Sequence, residues 1–276
     1  MPGESSLLFL KLGGSLITDK MRPHFLRDET LQRLANEIST SYKTNPGLRL
    51  IIGHGSGSFG HVPAKRWGTR LGVKNREEWK GFIEVWTEAN ALNQYVMQAL
   101  ASVDLPAISF SPLSSVTSQD GKVLRWETTP IQAALTNGLV PVIHGDVVFD
   151  LARGGTILST EDLFDHLARK FRPKRILLAG LEAGVWADFP SCTRLIPDIY
   201  PSNRQEWEAA LGGSTGTDVT GGMASKVMQS LKLAEDIPNL EILIFSGEQD
   251  GNLERALNGA LVGTRIKFVG NSPALK

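Results

Sequence analysis

The chain has 276 residues, of which 41% are hydrophobic and 21% charged, so we expect a packed core and exclude a disordered protein. Lysine plus arginine and aspartate plus glutamate number 29 each, which argues against a nucleic-acid binder, because such proteins usually carry a basic excess. The single cysteine, Cys192, excludes an internal disulfide framework and a multi-cysteine metal site, and it fits a reducing compartment.

The N-terminal segment MPGESS is short and polar, unlike a signal or transit peptide. No apolar run of the sequence approaches the roughly 20 residues that are needed to span a bilayer. We therefore expect a cytoplasmic protein.

In the first half of the chain, short apolar runs alternate with segments of helical periodicity. The helix over 28–42, for example, has apolar residues at Leu31, Leu34, Ala35 and Ile38. The turn-forming pair DG at 120–121 lies between two short β runs and predicts a hairpin over 116–125. The other predicted strands are 7–12, 48–52, 107–110, 139–143 and 147–151, and the other predicted helices are 76–102 and 129–136.

The second half of the chain continues this alternation. Residues 159–162 match a capping box, which predicts that a helix over 161–171 begins there. The predicted strands are 175–179, 241–245 and 264–268, the further predicted helices are 203–211, 223–235 and 252–257, and a polar, glycine-rich loop is predicted over 212–222. Alternating strands and helices favour a mainly parallel sheet that is covered by helices on both faces.

Three loops that follow predicted strands or precede a predicted helix combine glycines with lysine or histidine. They are KLGGS at 11–15, GHGSGSFGH at 53–61 and TDVTGGMASK at 217–226. Glycines allow successive backbone N–H groups to converge on an anion, and lysine or histidine adds the positive charge that a transferring phosphoryl group needs. Each loop alone has an ordinary structural explanation, but the three together predict a phosphate-binding cleft beyond the carboxyl ends of the strands.

Lys11 lies within an otherwise apolar predicted strand. An unpaired charge in such a position would cost several kcal/mol. We therefore expect Lys11 to have an anionic partner.

The second loop also contains a formal G-x-G-x-x-G pattern, which raises the possibility of a dinucleotide-dependent oxidoreductase. That fingerprint requires a second strand that ends in an acidic residue about 20 residues further on. Residues 76–80 are polar and helical in pattern, so we reject this interpretation. No G-x-x-x-x-G-K-[ST] sequence occurs either, so a kinase built from this chain must hold phosphate in another way.

Four segments, in order, resemble the amino acid kinase superfamily and, within it, the isopentenyl phosphate kinases. They are KLGGSLITDK (11–20), HGSGSFGH (54–61), PVIHGDVVFD (141–150) and DVTGGMASK (218–226). The resemblance extends from residue 7 to about residue 268. It implies an α/β fold, an open three-layer αβα sandwich with a mainly parallel central sheet. It also implies a single domain over 1–276, with an acceptor half over 1–160 and a nucleotide half over 161–276, that works as a homodimer.

By this resemblance, the chain is a phosphotransferase that moves the γ-phosphoryl group of ATP, with Mg²⁺, onto isopentenyl phosphate. The products are isopentenyl diphosphate and ADP, in isoprenoid precursor biosynthesis in the mevalonate pathway. The implied catalytic residues are Lys11, Lys20, His61 and Lys226. The implied ATP-binding residues are Lys11, Gly13, Gly14, Ser15, Gly57, Gly222 and Lys226. The implied substrate-binding residues are Ser56, Gly60, His61 and Thr160, and no protein metal ligand is implied.

These roles also make physical sense. The attacking phosphate already carries negative charge, so it needs no strong general base, and the difficulty lies in bringing two polyanions together. Lysines, Mg²⁺ and a histidine reduce that repulsion and orient an in-line transfer. The five-carbon tail of the acceptor requires an apolar pocket, which we expect to be lined by Phe82, Ile83, Trp86 and Ile131.

The chain departs from the family pattern in three places. Ser56 stands where relatives usually have glycine, and Thr160 and Glu161 stand within LSTED (158–162) where many have serine-glycine-aspartate-aspartate. The segment AGLEAGVW (179–186) lacks both aspartates of its counterpart, and Glu182 is only a displaced substitute. The details of nucleotide binding therefore stay open.

Two further interpretations remain. One is a sister kinase of the superfamily, such as a kinase of a phosphonate antibiotic. The other is a non-catalytic nucleotide sensor on the same fold, which the missing aspartates favour. The presence of Lys11, Lys20, His61 and Lys226 argues against the sensor, since a sensor has no need of a transfer site.

Overall fold

The computed structural model of the protein describes residues 6–205, 207–208 and 222–268. The strands within these residues are β1 (Ser6–Leu12), β2 (Leu48–His54), β3 (Ala107–Ser109), β4 (Val116–Gln119), β5 (Lys122–Trp126), β6 (Val140–His144), β7 (Asp146–Asp150), β8 (Gly154–Leu158), β9 (Arg175–Gly180), β10 (Val185–Trp186), β11 (Leu195–Ile196), β12 (Asp198–Ile199), β13 (Glu241–Ser246) and β14 (Thr264–Lys267). The helices are α1 (Gly14–Ile17), α2 (Asp28–Thr44), α3 (Gly57–Trp67), α4 (Arg76–Ser102), α5 (Thr129–Thr136), α6 (Thr160–Phe171), α7 (Gly222–Asp236) and α8 (Asn252–Leu257). The predicted helix 203–211 and loop 212–222 lie largely outside the described residues.

The main sheet has eight strands in the order β12-β14-β13-β9-β1-β2-β6-β3. Neighbouring strands run parallel except for β13 and β14, which are antiparallel. A central strand of a parallel sheet is buried on both faces, and β1 is accordingly an apolar run that is interrupted by Lys11. The predicted mainly parallel sheet is confirmed.

Helices cover both faces of this sheet, as the alternation of side chains along β1 shows. Leu8, Leu10 and Leu12 pack into a core cluster with residues of α2, α4 and α8. Leu7 and Phe9 pack into the opposite cluster with residues of α5, α6 and α7. Because successive side chains of a strand point to opposite faces, the two clusters are the two interfaces of a three-layer sandwich. No described helix combines the length and the apolar character that crossing a membrane requires.

The helices α4 and α6 match their sequence signals closely. The helix α4 has the predicted bounds and begins after Asn75, whose side chain accepts hydrogen bonds from two first-turn amides. The predicted capping box is present at the start of α6, where Ser159 Oγ accepts from Asp162 N (3.1 Å) and Ser159 N donates to Asp162 Oδ2 (2.8 Å). This places the segment 158–162, which departs from the family pattern, at the first turn of a helix.

A second sheet of four strands, in the order β5-β4-β7-β8, packs on α4 through Val147, Phe82 and Val85. The predicted hairpin over 116–125 is confirmed as β4 and β5. Asp120 (φ 50°) and Gly121 (φ 74°) both adopt the left-handed conformation that a two-residue hairpin turn requires.

The carboxylate of Asp150 holds this second sheet together. Its acceptor oxygens receive hydrogen bonds from Ser118 Oγ (2.8 Å) and from the backbone N–H groups of Asp120 (3.0 Å), Gly121 (2.8 Å), Ala152 (2.9 Å) and Arg153 (2.9 Å). Burial alone would raise the pKa of Asp150, but these hydrogen bonds outweigh it and lower the pKa to about 2. The charged form therefore stabilises the folded protein.

Replacing Asp150 by asparagine is expected to lower the free energy of unfolding at pH 7 by about 2 kcal/mol, since a pKa depressed by roughly two units corresponds to that difference. Because the folded-state pKa lies below the unfolded value, the stabilisation is present at neutral pH and is lost as the pH falls from about 5 towards 2. Urea unfolding of both proteins at pH 7 and pH 3 measures the effect, and the difference should shrink at pH 3.

Asp120→Asn is the matched control, because Asp120 lies in the same hairpin with an exposed side chain that pairs with Arg153. An exposed ion pair of this kind contributes about 0–1 kcal/mol. An Asp150→Asn effect that is equal at the two pH values, or no larger than that of Asp120→Asn, would contradict the role of the charged form.

Candidate active site

A cavity of about 550 Å³ opens at the carboxyl ends of β1, β2, β6 and β9. Residues that follow each of these strands form its lining, for example Ser15 after β1, Ser56 after β2 and Gly145 after β6. Ligands of parallel α/β sheets bind at this edge, because the strand-to-helix loops meet there.

The structure brings the sequence-predicted site residues together around this one cavity, with a single exception. The residues in the lining are Lys11, Gly13, Gly14, Ser15, Lys20, Ser56, Gly60, His61, Thr160, Gly222 and Lys226. They come from segments as far apart as residue 11 and residue 226, so the predicted convergence of separate loops on one cleft is what the fold produces.

Gly57 is the exception, since it is buried behind Gly14 and is not part of the lining. It has φ +50°, and a Cβ there would lie 2.1 Å from Thr18 Oγ1. A Cβ on Gly14 would in turn lie 2.5 Å from the backbone nitrogen of Gly57. The two glycines thus allow main chain to pack on main chain. The contact with nucleotide phosphates that the resemblance implied for Gly57 stays a prediction.

Lys11 has the anionic partner that its position in a buried strand requires. Its Nζ donates a hydrogen bond to Glu161 Oε1, and the two side chains are only 12% and 18% exposed. Burial would raise the pKa of Glu161, but the charge and hydrogen bond of Lys11, with a contribution from Lys226, outweigh it and lower the pKa. Glu161, which was not among the sequence-predicted site residues, is therefore a charged group at the centre of the site.

Thr160 connects three elements beside the cavity. Its hydroxyl donates to the backbone oxygen of His54 at the end of β2 (2.6 Å) and accepts from the N–H of Gly145 after β6 (3.1 Å). The hydroxyl of Thr160 thus fixes the end of β2, the loop after β6 and the start of α6 relative to one another, and its expected role in substrate binding stays a prediction.

The backbone N–H of Gly13 is likewise engaged, because it donates to the backbone oxygen of Ala179 (2.8 Å). A Cβ at residue 13 would lie 2.9 Å from that oxygen. Gly13 therefore joins the loop after β1 to the end of β9.

The segment 19–26 carries Lys20 and is attached to two helices. The N–H of Asp19 donates to the oxygen of Phe25 (3.0 Å), which closes the segment on itself. His24 Nδ1 lies 2.8 Å from Glu88 Oε2 on α4, and the His24 ring meets the Phe59 ring of α3 edge to face, with centroids 5.5 Å apart. These contacts hold Lys20 at the edge of the cavity.

The apolar wall of the cavity differs from the expected one. It consists of Ala64, Val85, Ala89 and Ile157. The helix α4 does contribute to this wall, as expected, but with a different face. Ile83 is 58% exposed and Trp86 39% exposed, and neither is part of the lining.

The other two residues expected in this wall belong to the protein interior. Phe82 packs with Val73 and Val147 in the core beside the second sheet, and Ile131 packs in the cluster under α5 and α6. The residues that do reach the cavity, Val85 and Ala89, are smaller, so they leave room for a ligand.

The opposite end of the cavity is lined by the segment that lacks the family aspartates. Leu181, Glu182, Trp186 and Phe189 contribute to the lining there, together with Met223. Trp186 Nε1 donates to Glu182 Oε2 (3.0 Å), so Glu182 orients the indole. This end is therefore aromatic and apolar with one carboxylate.

The HGD sequence of the third family-like segment supplies a buried group next to the cavity. The rings of His54 and His144 stack with centroids 5.3 Å apart, and His144 Nε2 lies 3.4 Å from Oδ2 of Asp146, a lining residue. Burial and the charges of His144 and Lys11 lower the pKa of His54 to about 4, against hydrogen bonds with Asn93 and Gly55 that raise it. His54 is therefore neutral at pH 7 and adds no charge to the site.

Within the described residues, no three His, Cys, Asp or Glu side chains are grouped as a metal site. The lining of the cavity holds separate carboxylates instead, those of Asp146, Glu161 and Glu182. In phosphoryl transfer, Mg²⁺ is usually bound by substrate phosphates, water and one or two carboxylates. The donor set fits a magnesium ion that enters with a nucleotide and does not fit a cage made by the protein alone.

Comparisons with known proteins identify the family of the chain. The model of the amino acid kinase family matches residues 6–246. The chain is 35% identical to isopentenyl phosphate kinase of Methanocaldococcus jannaschii, over 95% of this chain and 99% of the relative. It is also 35% identical to isopentenyl phosphate kinase of Methanothermobacter thermautotrophicus, over 94% and 98% of the two chains. A crystal structure of an isopentenyl phosphate kinase superposes with a TM-score of 0.79 at 30% identity, covering 95% of this chain and all of that one.

Proposed function

We infer that this chain, which belongs to the amino acid kinase family and groups within it with the isopentenyl phosphate kinases, transfers the γ-phosphoryl group of ATP to isopentenyl phosphate. The observation that carries this conclusion is a single cavity lined by Lys11, Lys20, His61 and Lys226, with an apolar wall on one side. The products are isopentenyl diphosphate and ADP, in the formation of isoprenoid precursors.

The chemistry is an in-line displacement. An oxygen of the acceptor phosphate attacks the γ-phosphorus of ATP, a new P–O bond forms, and the bond to the β–γ bridging oxygen breaks as ADP leaves. Charge on the transferring group and leaving group must be stabilised by positioned cations, which is the main task of the protein in such reactions.

We assign the lysines to this charge. Lys11 projects from the central strand into the cavity, and Glu161 fixes its ammonium group. Glu161 is also coupled electrostatically to Lys226, which lies in the first turns of α7. Glu161 therefore orients Lys11 and Lys226, which come from the two halves of the chain. Lys20, from the segment 19–26, is the third lysine of the site.

The acceptor is assigned to the side of the cavity formed by α3. His61 and the backbone around Ser56 and Gly60 bind its phosphate, because these residues line the cavity at the start of that helix. The five-carbon tail lies against Val85 and Ile157 and the other members of the apolar wall, where it leaves no polar group of the protein unpaired.

ATP is assigned to the opposite side, between the loop after β1 and the start of α7. The carboxylates of the lining, among them Glu161 in contact with Lys11, would help to hold a magnesium ion that enters with ATP, and this ion would supply further neutralisation of the developing charge. We further propose the acceptor half as residues 1–160, the nucleotide half as residues 161–276, a homodimeric assembly and a cytoplasmic location, each supported by the family resemblance and the last also by the single cysteine.

The direct test is a coupled assay of ADP release over small phosphomonoesters, including isopentenyl, dimethylallyl and geranyl phosphates. Isopentenyl phosphate is expected to give the highest kcat/KM among them, and ³¹P NMR should show a diphosphate product. Turnover of a phosphonate or an amino acid derivative instead would identify a sister kinase. ATP binding without transfer to any phosphomonoester would identify a nucleotide sensor and overturn the proposal.

Glu88→Gln is expected to lower kcat about tenfold with little change in stability, because the contact with His24 then weakens and Lys20 loses its fixed position. Steady-state kinetics with both substrates saturating measure this change. Glu77→Gln is the matched control on the same helix, since Glu77 forms an exposed pair with Lys80. If both variants turn over at the wild-type rate, the segment 19–26 does not depend on the His24–Glu88 contact.

A further inference from the structure

We propose that Arg70 is a further acceptor-binding residue, whose guanidinium group leaves Asp162 and pairs with the phosphate of the incoming acceptor. The proposal rests on the function proposed above, and it adds a group that neither the sequence motifs nor the family resemblance assigned. Four observations carry it, concerning the backbone of Arg70, its place in the cavity, its present partner and the chemistry of its side chain.

The backbone of Arg70 is fixed. It lies in the 3-10 helix Thr69–Leu71, directly after α3. Its carbonyl oxygen accepts hydrogen bonds from Thr156 Oγ1 (2.9 Å) and Arg153 Nη1 (3.2 Å), and the neighbouring Thr69 is 1% exposed. The origin of the side chain is therefore anchored to β8 and its preceding turn, and only the side chain is left to reorient.

The side chain of Arg70 lines the cavity, and its backbone directly follows α3, the helix assigned to the acceptor. It contributes to the same lining as His61, Ala64 and Ile157 and is 44% exposed. It also borders a neighbouring hollow of about 380 Å³ together with Glu161 and Lys226. Arg70 thus shares one hollow with the apolar wall and another with Lys226, as expected of a group that meets the charged end of an acceptor with an apolar tail.

The present partner of Arg70 is one that it is able to leave. Arg70 Nη2 lies 3.2 Å from Asp162 Oδ2 at the rim of the cavity, and an exposed ion pair of this kind is worth about 0–1 kcal/mol. The same oxygen of Asp162 also accepts from Ser159 N (2.8 Å) and Ser159 Oγ (2.7 Å). The carboxylate therefore stays hydrogen-bonded, and α6 stays capped, when the arginine moves away.

The chemistry of the side chain fits the ligand. The planar guanidinium group can donate two parallel hydrogen bonds to phosphate oxygens, whereas its contact with Asp162 is a single one, from Nη2 to Oδ2. The acceptor phosphate, which has a hydrogen-bonding side chain only in His61 under the assignments above, then gains a permanent positive charge.

The test is steady-state kinetics of Arg70→Gln and Arg70→Lys with isopentenyl phosphate and ATP varied separately. Arg70→Gln is expected to raise KM for isopentenyl phosphate roughly 10–100-fold, the effect of losing one bidentate charged pair, with KM for ATP unchanged. Arg70→Lys keeps the positive charge but cannot donate two parallel hydrogen bonds. Its KM for isopentenyl phosphate should therefore lie between those of the wild type and Arg70→Gln. A KM for isopentenyl phosphate that stays at the wild-type value in Arg70→Gln would overturn the proposal, as would a rise confined to ATP.

Two control variants separate binding from a structural role. If Arg70 acted only through its pair with Asp162, Asp162→Asn would raise KM for isopentenyl phosphate as much as Arg70→Gln does; under the proposal it leaves that KM unchanged or lowers it. Arg66→Gln removes an exposed arginine that pairs with Glu84 and does not line the described cavity, so it should match the wild type. Urea unfolding of all variants identifies any that are misfolded.

A second readout keeps this proposal separate from the proposed function. If the wild-type protein does not phosphorylate isopentenyl phosphate, the proposed function fails, and binding of inorganic phosphate by calorimetry then decides the role of Arg70. A loss of phosphate affinity in Arg70→Gln that is absent in Arg66→Gln supports an anion-binding role, whereas equal affinities overturn it. If the wild type does turn over isopentenyl phosphate and Arg70→Gln matches it, only the present inference fails.

Discussion

Replacing Lys11 by methionine is expected to reduce kcat at least ~10³-fold, since a cation that stabilises transferring phosphoryl charge is worth 10³ or more in rate. The same change should lower the free energy of unfolding by about 2 kcal/mol, because Glu161 is left as a largely buried carboxylate without its partner. Single-turnover kinetics with saturating ATP and acceptor measure the first effect, and urea unfolding measures the second.

The double variant Lys11→Met, Glu161→Gln separates the two effects. Removing the unpaired charge should restore most of the lost stability, because the desolvation penalty of an isolated carboxylate disappears. Activity should not recover, since no cation returns to the cavity. Recovery of turnover in the double variant would show that Lys11 serves only to neutralise Glu161.

Replacing His61 by alanine is expected to lower kcat/KM for the acceptor roughly 10²–10³-fold, the usual cost of removing one positioned hydrogen-bond donor from an active site. The acceptor phosphate then loses a hydrogen bond at the start of α3, while the ATP side of the cavity is unchanged. His61→Gln retains a donor and should recover part of the loss. KM for ATP should stay within about twofold of the wild type in both variants.

The matched control for this histidine is His166→Ala. His166 lies on α6 with its ring against that of Trp126, and it does not contribute to the lining of the described cavity. It should therefore retain full activity. A His61→Ala enzyme that equals this control would remove His61 from the acceptor site and leave the phosphate to backbone donors.

The central strands of the main sheet were predictable from the sequence because they are buried on both faces and read as continuous apolar runs, whereas the two-residue edge strand β12 was not predicted. The strand β8 and the helix α3 were missed for local reasons. The strand β8 begins with Gly154 and Gly155, residues that weaken a strand signal, and α3 contains Pro63 in its interior. Both elements form because tertiary contacts outweigh these weak local preferences.

The site was predictable where its chemistry is carried by short local patterns. The glycine loops and Lys11, Lys20, His61 and Lys226 could be found this way, since each loop combines its anion-binding features within about ten residues. Glu161 could not, because its partner lies 150 positions away and only the folded chain joins the two. The sequence did indicate that Lys11 needs an anionic partner, because a lysine in a buried strand must be paired, but it did not identify that partner.

The apolar wall was assigned to the wrong face of the correct helix because hydrophobicity alone does not fix the orientation of a helix. Trp86 is the more hydrophobic choice, yet it lies 39% exposed, while the small residues Val85 and Ala89 face the cavity. Space for a ligand requires small side chains, whereas the prediction had favoured large apolar ones. Arg70 was not predicted either, because it lies in the 3-10 helix after α3, outside the sequence motifs.

The contact between Gly14 and Gly57 has a consequence for how the two substrates meet. Gly14 follows the strand that presents Lys11, and Gly57 begins the helix that carries His61, so the donor-binding and acceptor-binding elements touch through main-chain atoms. The separation of these two elements is therefore set by main-chain contacts, and the side chains adjust the substrates within that frame. Substitutions in the apolar wall, such as at Val85 or Ala89, are therefore expected to change acceptor preference without moving the donor-binding and acceptor-binding elements apart.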